Sequence, residues 1–204
     1  MTRTLGILLL LGAWFPAPLL AAPITFNLRD PYIESIDEVN SFNLTIDGLT
    51  ATLQALPEIY DTNDVVLNQT SSSFGINVLN TSSGSTEESG QVDGGCTGES
   101  LQVRFSQDVL LNSLRVSSFG SADQGLSTVY GASTVPILST GLLSLGNLYL
   151  AAGDAWSISF LTGNGFSVDS FAVSTVPESS TLLLLTAGVF GLVFSGRTVG
   201  SRRR

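Results

Sequence analysis

The sequence contains no histidine and no lysine, and it has a single cysteine, Cys96. Without histidine the chain cannot use a Ser-His-Asp or Cys-His catalytic arrangement, an imidazole general base or a histidine-ligated zinc ion. Without lysine it has neither a Walker-type phosphate loop nor a Schiff-base residue. Cys96 has no second cysteine for an internal disulfide and no histidine to activate it as a nucleophile. We therefore predict that the protein is not an enzyme, and no pattern in the sequence assigns a catalytic residue, a cofactor or a metal site.

Positive charge is scarce in the middle of the 204-residue chain. Residues 23–177 contain only Arg29, Arg104 and Arg115 among the eight basic residues, whereas they contain every acidic residue except Glu178. Three arginines against sixteen acids give this segment a formal charge of −13, compared with −9 for the whole chain. A surface this acidic repels phosphate backbones and anionic membranes. The central segment is therefore not predicted to bind nucleic acid.

The N-terminus has the pattern of a secretory signal peptide. Arg3 is followed by an apolar run of 11 residues, Leu5 to Phe15, and then by the small residues Ala21 and Ala22. The run is too short to span a hydrocarbon layer of ~30 Å. A single positive charge, a short apolar run and small residues are the parts of a cleavable export signal. We predict a signal peptide over residues 1–22, with cleavage near Ala22; a buried N-terminal helix is the alternative.

The C-terminus has the pattern of a single membrane span. Ser179 to Gly196 is a run of 18 residues without charge. At ~1.5 Å per residue it reaches roughly 27 Å, which is enough to cross the bilayer core. The basic residues that follow it, Arg197, Arg202, Arg203 and Arg204, predict that this end stays in the cytoplasm. Both termini therefore predict an exported central domain. An uncleaved anchor is one alternative, and the terminal arginines argue against a glycolipid anchor.

A short motif precedes this span. Val176, Pro177 and Glu178, followed by the apolar run and the arginine cluster, resemble the PEP-CTERM sorting signal of Gram-negative bacteria. The resemblance covers residues 176–204, and Ser179 stands where the family usually has a second proline. It implies that an exosortase-type enzyme in the membrane recognises Pro177 and Glu178. It also implies that the processed protein reaches the cell surface or the extracellular matrix.

The middle of the chain, residues 23–175, predicts one all-β domain, a β-sandwich or jelly roll. Short runs of alternating apolar and polar residues are separated by turn-forming clusters at intervals of about ten residues. The predicted strands are Phe42–Ile46, Thr50–Leu56, Leu101–Phe105, Val109–Ser117, Leu142–Leu150, Trp156–Phe160 and Phe166–Val173. Asp47-Gly48 predicts a two-residue hairpin between the first two of these strands.

Several finer expectations follow from the same pattern. Leu53 and Ala55 are expected to face inward, and Trp156 is expected in the core. Leu110, Leu114 and Val116 are the apolar residues of the later run 109–117. The segment 142–150 is almost continuously apolar, which predicts a central strand. A change of phase near Asp169-Ser170 predicts a β-bulge. The low-complexity stretch 80–98 predicts an exposed loop, and residues 30–40 predict a short helix or a loop.

Oxygen-rich turns are the remaining candidates for chemistry. Asp93 with Glu99, and Asp61 with Asn63 and Asp64, carry the hard oxygen ligands that Ca²⁺ prefers, although we predict that both are solvated turns. The sequence thus predicts an exported surface or matrix protein of structural or interaction type. Its predicted partners are the processing enzyme, the membrane before processing, and an extracellular polysaccharide. A glycan- or Ca²⁺-binding module and a two-carboxylate hydrolase stay open as alternatives.

Overall fold

The described residues are β-strands and their connections, and none of them is helical. The computed structural model describes residues 21–29, 39–56, 65–69, 73–78, 87–93, 99–129 and 133–177. The strands are β1 (Ile24–Asn27), β2 (Ser41–Ile46), β3 (Leu49–Leu56), β4 (Val65–Gln69), β5 (Phe74–Val78), β6 (Glu87–Gln91), β7 (Ser100–Phe105), β8 (Val109–Ser117), β9 (Gln124–Val129), β10 (Ser133–Ile137), β11 (Gly141–Leu150), β12 (Trp156–Thr162) and β13 (Ser167–Thr175). The all-β prediction is confirmed for this part of the chain.

Two antiparallel sheets face each other across the core. One has the strand order β1-β13-β8-β11, and the other has the order β10-β9-β12-β7-β3-β2. Phe26 of the four-stranded sheet lies 6.0 Å from Phe105 of the six-stranded sheet, and Phe171 meets Trp156 edge-on at 5.4 Å, both measured between ring centroids. These contacts give a sandwich-like arrangement with aromatic rings at its centre.

A smaller sheet with the order β4-β5-β6 packs against the same core. Leu67, Phe74 and Ile76 from its strands are fully buried members of the core cluster. The Phe74 N–H donates to the Ser167 hydroxyl at 2.8 Å, which joins β5 to the start of β13. All three sheets therefore contribute to one hydrophobic core.

The alternating pattern of the sequence places the core side chains. In β7, Leu101, Val103 and Phe105 are buried, while Arg104 between them is exposed. Successive side chains of a strand point to opposite faces, so a strand covered on one side needs this pattern. The same rule holds in β3, where the predicted inward positions Leu53 and Ala55 are buried.

The hairpin between β2 and β3 forms at the predicted residues. Asp47 and Gly48 have φ values of 50° and 79°, and they connect Ile46 to its partner Leu49. Positive φ at both central residues is the requirement of the type I′ turn, whose twist matches that of the flanking strands. The hairpin prediction is confirmed.

The predicted bulge in β13 is also present. The register of β13 against β8 shifts between Val168 and Ser170, which leaves Asp169 as the extra residue. The shift keeps both Val168 and Phe171 in the core although they are three positions apart, an offset that would place them on opposite faces of a regular strand. It also turns Asp169 towards the outer face of the sheet, where it contacts Arg29.

The prediction that segment 142–150 is a central strand is wrong. The strand β11 lies at the edge of the four-stranded sheet, and Leu142 is 66% exposed. Gly146 and Asn147 adopt positive φ in the middle of β11, where its register against β8 breaks. Apolar residues before and after this break therefore face inward in different phases. The run looks continuous because two alternating patterns are joined out of phase.

Strand β8 also changes phase along its length. Val109 and Leu111 are buried and Leu110 is half-buried, whereas further along the strand Leu114 and Val116 are buried. The register of β13 against β8 shifts a second time opposite this point, which changes the inward-facing parity along β8.

The prediction of an exposed loop over 80–98 is wrong for residues 87–91. These residues form β6, which pairs with β5. Their Glu, Ser and Gly residues have low strand propensity, but pairing with an existing strand outweighs that preference. The rest of the stretch up to residue 86, and residues 94–98, lie outside the described residues, as do residues 30–38 of the predicted helix or loop.

Candidate functional site

The predicted sorting motif begins where strand β13 ends. β13 ends at Thr175, and the Val176 N–H donates to the Asp108 carbonyl oxygen at 3.0 Å. Val176 and Pro177 are half-buried against the body. Glu178, the predicted span 179–196 and the arginines at 197 and 202–204 lie outside the described residues. The described part of the motif therefore follows the folded body without an intervening linker.

The N-terminal end of the domain leaves from the same place. β1 pairs with β13 in antiparallel orientation, with Ile24 opposite Val173. Ala21 and Ala22, the residues of the predicted cleavage region, are separated from β1 by Pro23, and Ala22 is exposed. Paired strands lie about 4.8 Å apart. We call this end of the four-stranded sheet, where β1 begins and β13 ends, the terminal pole.

Asp108 accepts hydrogen bonds from three segments at the terminal pole. Its carboxylate accepts hydrogen bonds from the Tyr149 hydroxyl at 2.7 Å and from the Ala152 N–H at 2.9 Å, while its carbonyl accepts the Val176 N–H. The hydrogen bond from Tyr149, followed by that from Ala152, lowers the pKa of Asp108, and the same bond raises the pKa of Tyr149. One residue thus connects the start of β8, the edge strand β11 and the first residue of the motif.

The prediction of a solvated turn is wrong for Asp93 and Glu99. Asp93 is 3% exposed and Glu99 is 1% exposed. The Asp93 N–H donates to the Glu99 carboxylate at 3.0 Å, and the Glu99 N–H donates to the Asp93 carbonyl at 3.2 Å. Gly165 lies so close to Asp93 that a Cβ at that position would collide with it. The hairpin after β12 therefore packs against Asp93, and the two acids are joined to each other by these hydrogen bonds.

The other acidic candidates receive no structural assignment. The residues described here include no group of three or more His, Cys, Asp or Glu side chains positioned to hold a metal ion. Asp61, Asn63, Asp64 and Cys96 lie outside them. Trp156, by contrast, is confirmed as a core residue, because it is fully buried and its Nε1–H donates to the Ser127 hydroxyl at 2.8 Å.

A polar cleft of about 440 Å³ opens on the outer face of the four-stranded sheet. It is lined by Thr25, Asn27, Arg29, Arg115, Asp169 and Ser170, and we call it the outer-face cleft. Arg29 Nη1 lies 3.1 Å from Asp169 Oδ1, which also accepts the Ser117 hydroxyl at 2.6 Å. Sequence reasoning missed this site, because its residues come from three segments that are distant along the chain: β1 with the turn after it, β8 and β13. The scarcity of arginine in residues 23–177 was the available signal.

Comparison with protein-family models gave no match for this chain, and comparison with curated proteins gave none either. No helix in the described ranges has the length and apolar character needed to span a bilayer. The fold places the protein in the class of all-β proteins with facing antiparallel sheets. Its functional interpretation rests on the terminal pole and the outer-face cleft.

Proposed function

We propose that this is an exported surface or matrix-associated protein, a jelly-roll-like β-sandwich that an exosortase-type enzyme sorts through its C-terminal tail. The observation that carries the proposal is the shared exit of both termini at the terminal pole. Ile24 lies opposite Val173, so the signal peptide and the apolar tail start from one end of the body. A single bilayer can then hold both segments while the body lies wholly on its outer side.

The residues of the motif suit a processing enzyme at the membrane surface. Arginines after the apolar span stop translocation with the tail end in the cytoplasm. Pro177 has no N–H to donate and holds its φ near −65°, so it ends the ladder of β13 and disfavours a helix there. The Val176 N–H is already bonded to Asp108, so the chain available to the enzyme begins at Pro177.

The path of the chain supports the jelly-roll-like arrangement. β7, β9, β10 and β12 belong to the six-stranded sheet, whereas β8, β11 and β13 belong to the four-stranded sheet. Successive connections in the second half of the chain therefore cross repeatedly from one sheet to the other. Such crossings are typical of double-sheet folds built from Greek keys.

The outer-face cleft supports a binding or structural role over hydrolysis. Hydrolysis of a glycosidic bond with two carboxylates needs a pair roughly 5–10 Å apart. Among the described residues that line this cleft, Asp169 is the one acidic residue, and its Oδ1 is engaged by Arg29 and Ser117. The described lining therefore supplies one carboxylate and not the pair that this mechanism needs.

The test is mass spectrometry of the protein from an exosortase-containing bacterium, comparing envelope and medium. We expect the exported form to begin near Pro23 and to lack Arg202–Arg204. Glu178→Gln should leave the arginine tail in place, whereas Pro136→Ala, at an exposed proline in β10, should be processed normally. An exported form that retains its terminal arginines, or normal processing of Glu178→Gln, would refute the proposal.

A further inference from the structure

We propose that the outer-face cleft binds a hydroxylated ligand that carries an isolated carboxylate, such as a uronic acid unit of an extracellular polysaccharide. The central group is the guanidinium of Arg115, which is exposed. Arg29 is paired with Asp169, and Arg104 donates to the side chain of Gln102 and the carbonyl of Gly153. Arg115 makes no hydrogen bond or ion pair within the described part of the chain, so its five donors are available to a ligand.

Neutral polar groups continue from Arg115 across the sheet. Ser170 of β13 lies opposite Arg115 in β8, and Asn27 of β1 lies opposite Ser170. Thr25, two residues before Asn27, belongs to the same face of β1. A guanidinium, a hydroxyl and an amide thus stand in one row about 4.8 Å apart from strand to strand. The hydroxyl and the amide can exchange hydrogen bonds with the ring hydroxyls of a sugar, while the neighbouring guanidinium donates two hydrogen bonds to its carboxylate.

The charges favour one carboxylate over a phosphate. A guanidinium binds a carboxylate through two parallel hydrogen bonds. The ion pair of Arg29 with Asp169 is neutral as a unit, so Arg115 gives the cleft one net positive charge. A group of charge −1 balances this surplus charge, whereas a doubly charged phosphate leaves one negative charge unbalanced in the cleft. The charge of −13 on residues 23–177 also disfavours densely charged polymers, which leaves a polysaccharide with widely spaced carboxylates.

The position of the cleft favours a polymer outside the cell over a lipid headgroup. Ser170, opposite Arg115, lies six residues before Val176 along β13, or roughly 20 Å at ~3.3 Å per residue. Thr25, at the nearer end of the cleft, lies opposite Ala172, four residues or roughly 13 Å from Val176. A ligand centred on Arg115 is thus held away from the bilayer while the tail anchors the protein there. The lining residues other than the two arginines and Asp169 are Thr25, Asn27 and Ser170, which offer hydroxyl and amide groups rather than apolar surface for peptide side chains.

Calorimetry on the purified full-length chain in uncharged detergent tests this proposal. The probes are an oligosaccharide with one glucuronic acid unit, the same oligosaccharide with its carboxyl reduced to an alcohol, inorganic phosphate, and a short glutamate-containing peptide. We expect the uronate to bind at least about ten-fold more tightly than each of the other three. Arg115→Gln should weaken uronate binding by about ten-fold or more. Arg104→Gln, the matched change at an exposed arginine on the other sheet, should alter it less than about two-fold.

Several results would overturn the proposal. These are absence of uronate binding, equal binding of the reduced oligosaccharide, tighter binding of phosphate or of the peptide, and equal effects of Arg115→Gln and Arg104→Gln. Thermal melting of each variant checks folding, and Ser170→Ala provides a second variant that removes a ligand contact without changing charge. We expect Ser170→Ala to weaken uronate binding a few-fold. The assay uses purified protein, so its outcome is independent of tail processing.

Discussion

Phe171 is the residue whose removal should most directly weaken the contact between the two large sheets. Its ring is 1% exposed, stacks on Phe26 at 5.0 Å and meets Phe105 and Trp156 nearly edge-on at 5.9 and 5.4 Å. Replacing a buried Phe with Ala costs about 3–5 kcal/mol of unfolding free energy, because apolar contact is lost and a cavity is left. Each aromatic pair contributes about 0.5–1.5 kcal/mol of that total.

A loss of this size is large for any domain. Natural domains are stable by about 5–15 kcal/mol, so Phe171→Ala should remove roughly a fifth or more of the stability. The corresponding fall in melting temperature is roughly 6–20 °C. Urea titration followed by tryptophan fluorescence measures the change, because Trp156 is buried beside Phe171. We expect a lower midpoint with an unchanged slope, since the surface exposed on unfolding stays nearly the same.

Phe160→Ala is the matched control. Phe160 is the same residue type in β12, but it is only partly buried at the margin of the core. Folding buries less apolar surface of this side chain, so the expected loss of unfolding free energy is roughly 1–2 kcal/mol. If Phe160→Ala destabilised the protein as much as Phe171→Ala, or if the latter left the urea midpoint unchanged, the aromatic cluster would not hold the sheets together as argued.

Two further predictions concern hydrogen bonds. Ser127→Ala leaves the buried Trp156 Nε1–H without its acceptor, which should lower the free energy of unfolding by about 1–3 kcal/mol in a urea titration. Ser127→Thr keeps a hydroxyl and is the control. Equal urea midpoints for the two variants would contradict the prediction. Tyr149→Phe should raise the pKa of Asp108 towards its ordinary value, because the Tyr149 hydroxyl is the main cause of its lowering. A carboxyl with a depressed folded-state pKa stabilises the fold above its unfolded pKa, and this contribution is lost as the pH falls through the folded pKa. The stability difference between wild type and Tyr149→Phe should therefore be present at neutral pH and vanish in acid; an NMR titration in which Asp108 is unaffected would contradict it.

Local patterns were enough to predict the features that depend on neighbours in the chain. The alternation of apolar and polar residues predicted the strands β7 and β12 and their inward-facing residues, because a strand covered on one face needs apolar side chains at every second position. Asp47-Gly48 predicted its hairpin, because few residue pairs accept positive φ at both positions. The change of phase at Asp169 predicted the bulge for the same local reason.

Long-range pairing decided the features that the sequence could not specify. The edge position of β11 and the formation of β6 both depend on the strands with which they pair. The residue pattern of a strand does not specify its pairing partner. Asp93 is buried where Gly165, in a hairpin distant along the chain, packs against it. The outer-face cleft combines residues from β1, β8 and β13, so only the register between those strands brings Arg29, Arg115 and Asp169 together. Chain periodicity is a property of adjacent residues, whereas sheet order and cross-strand register are set by the packing of the whole core.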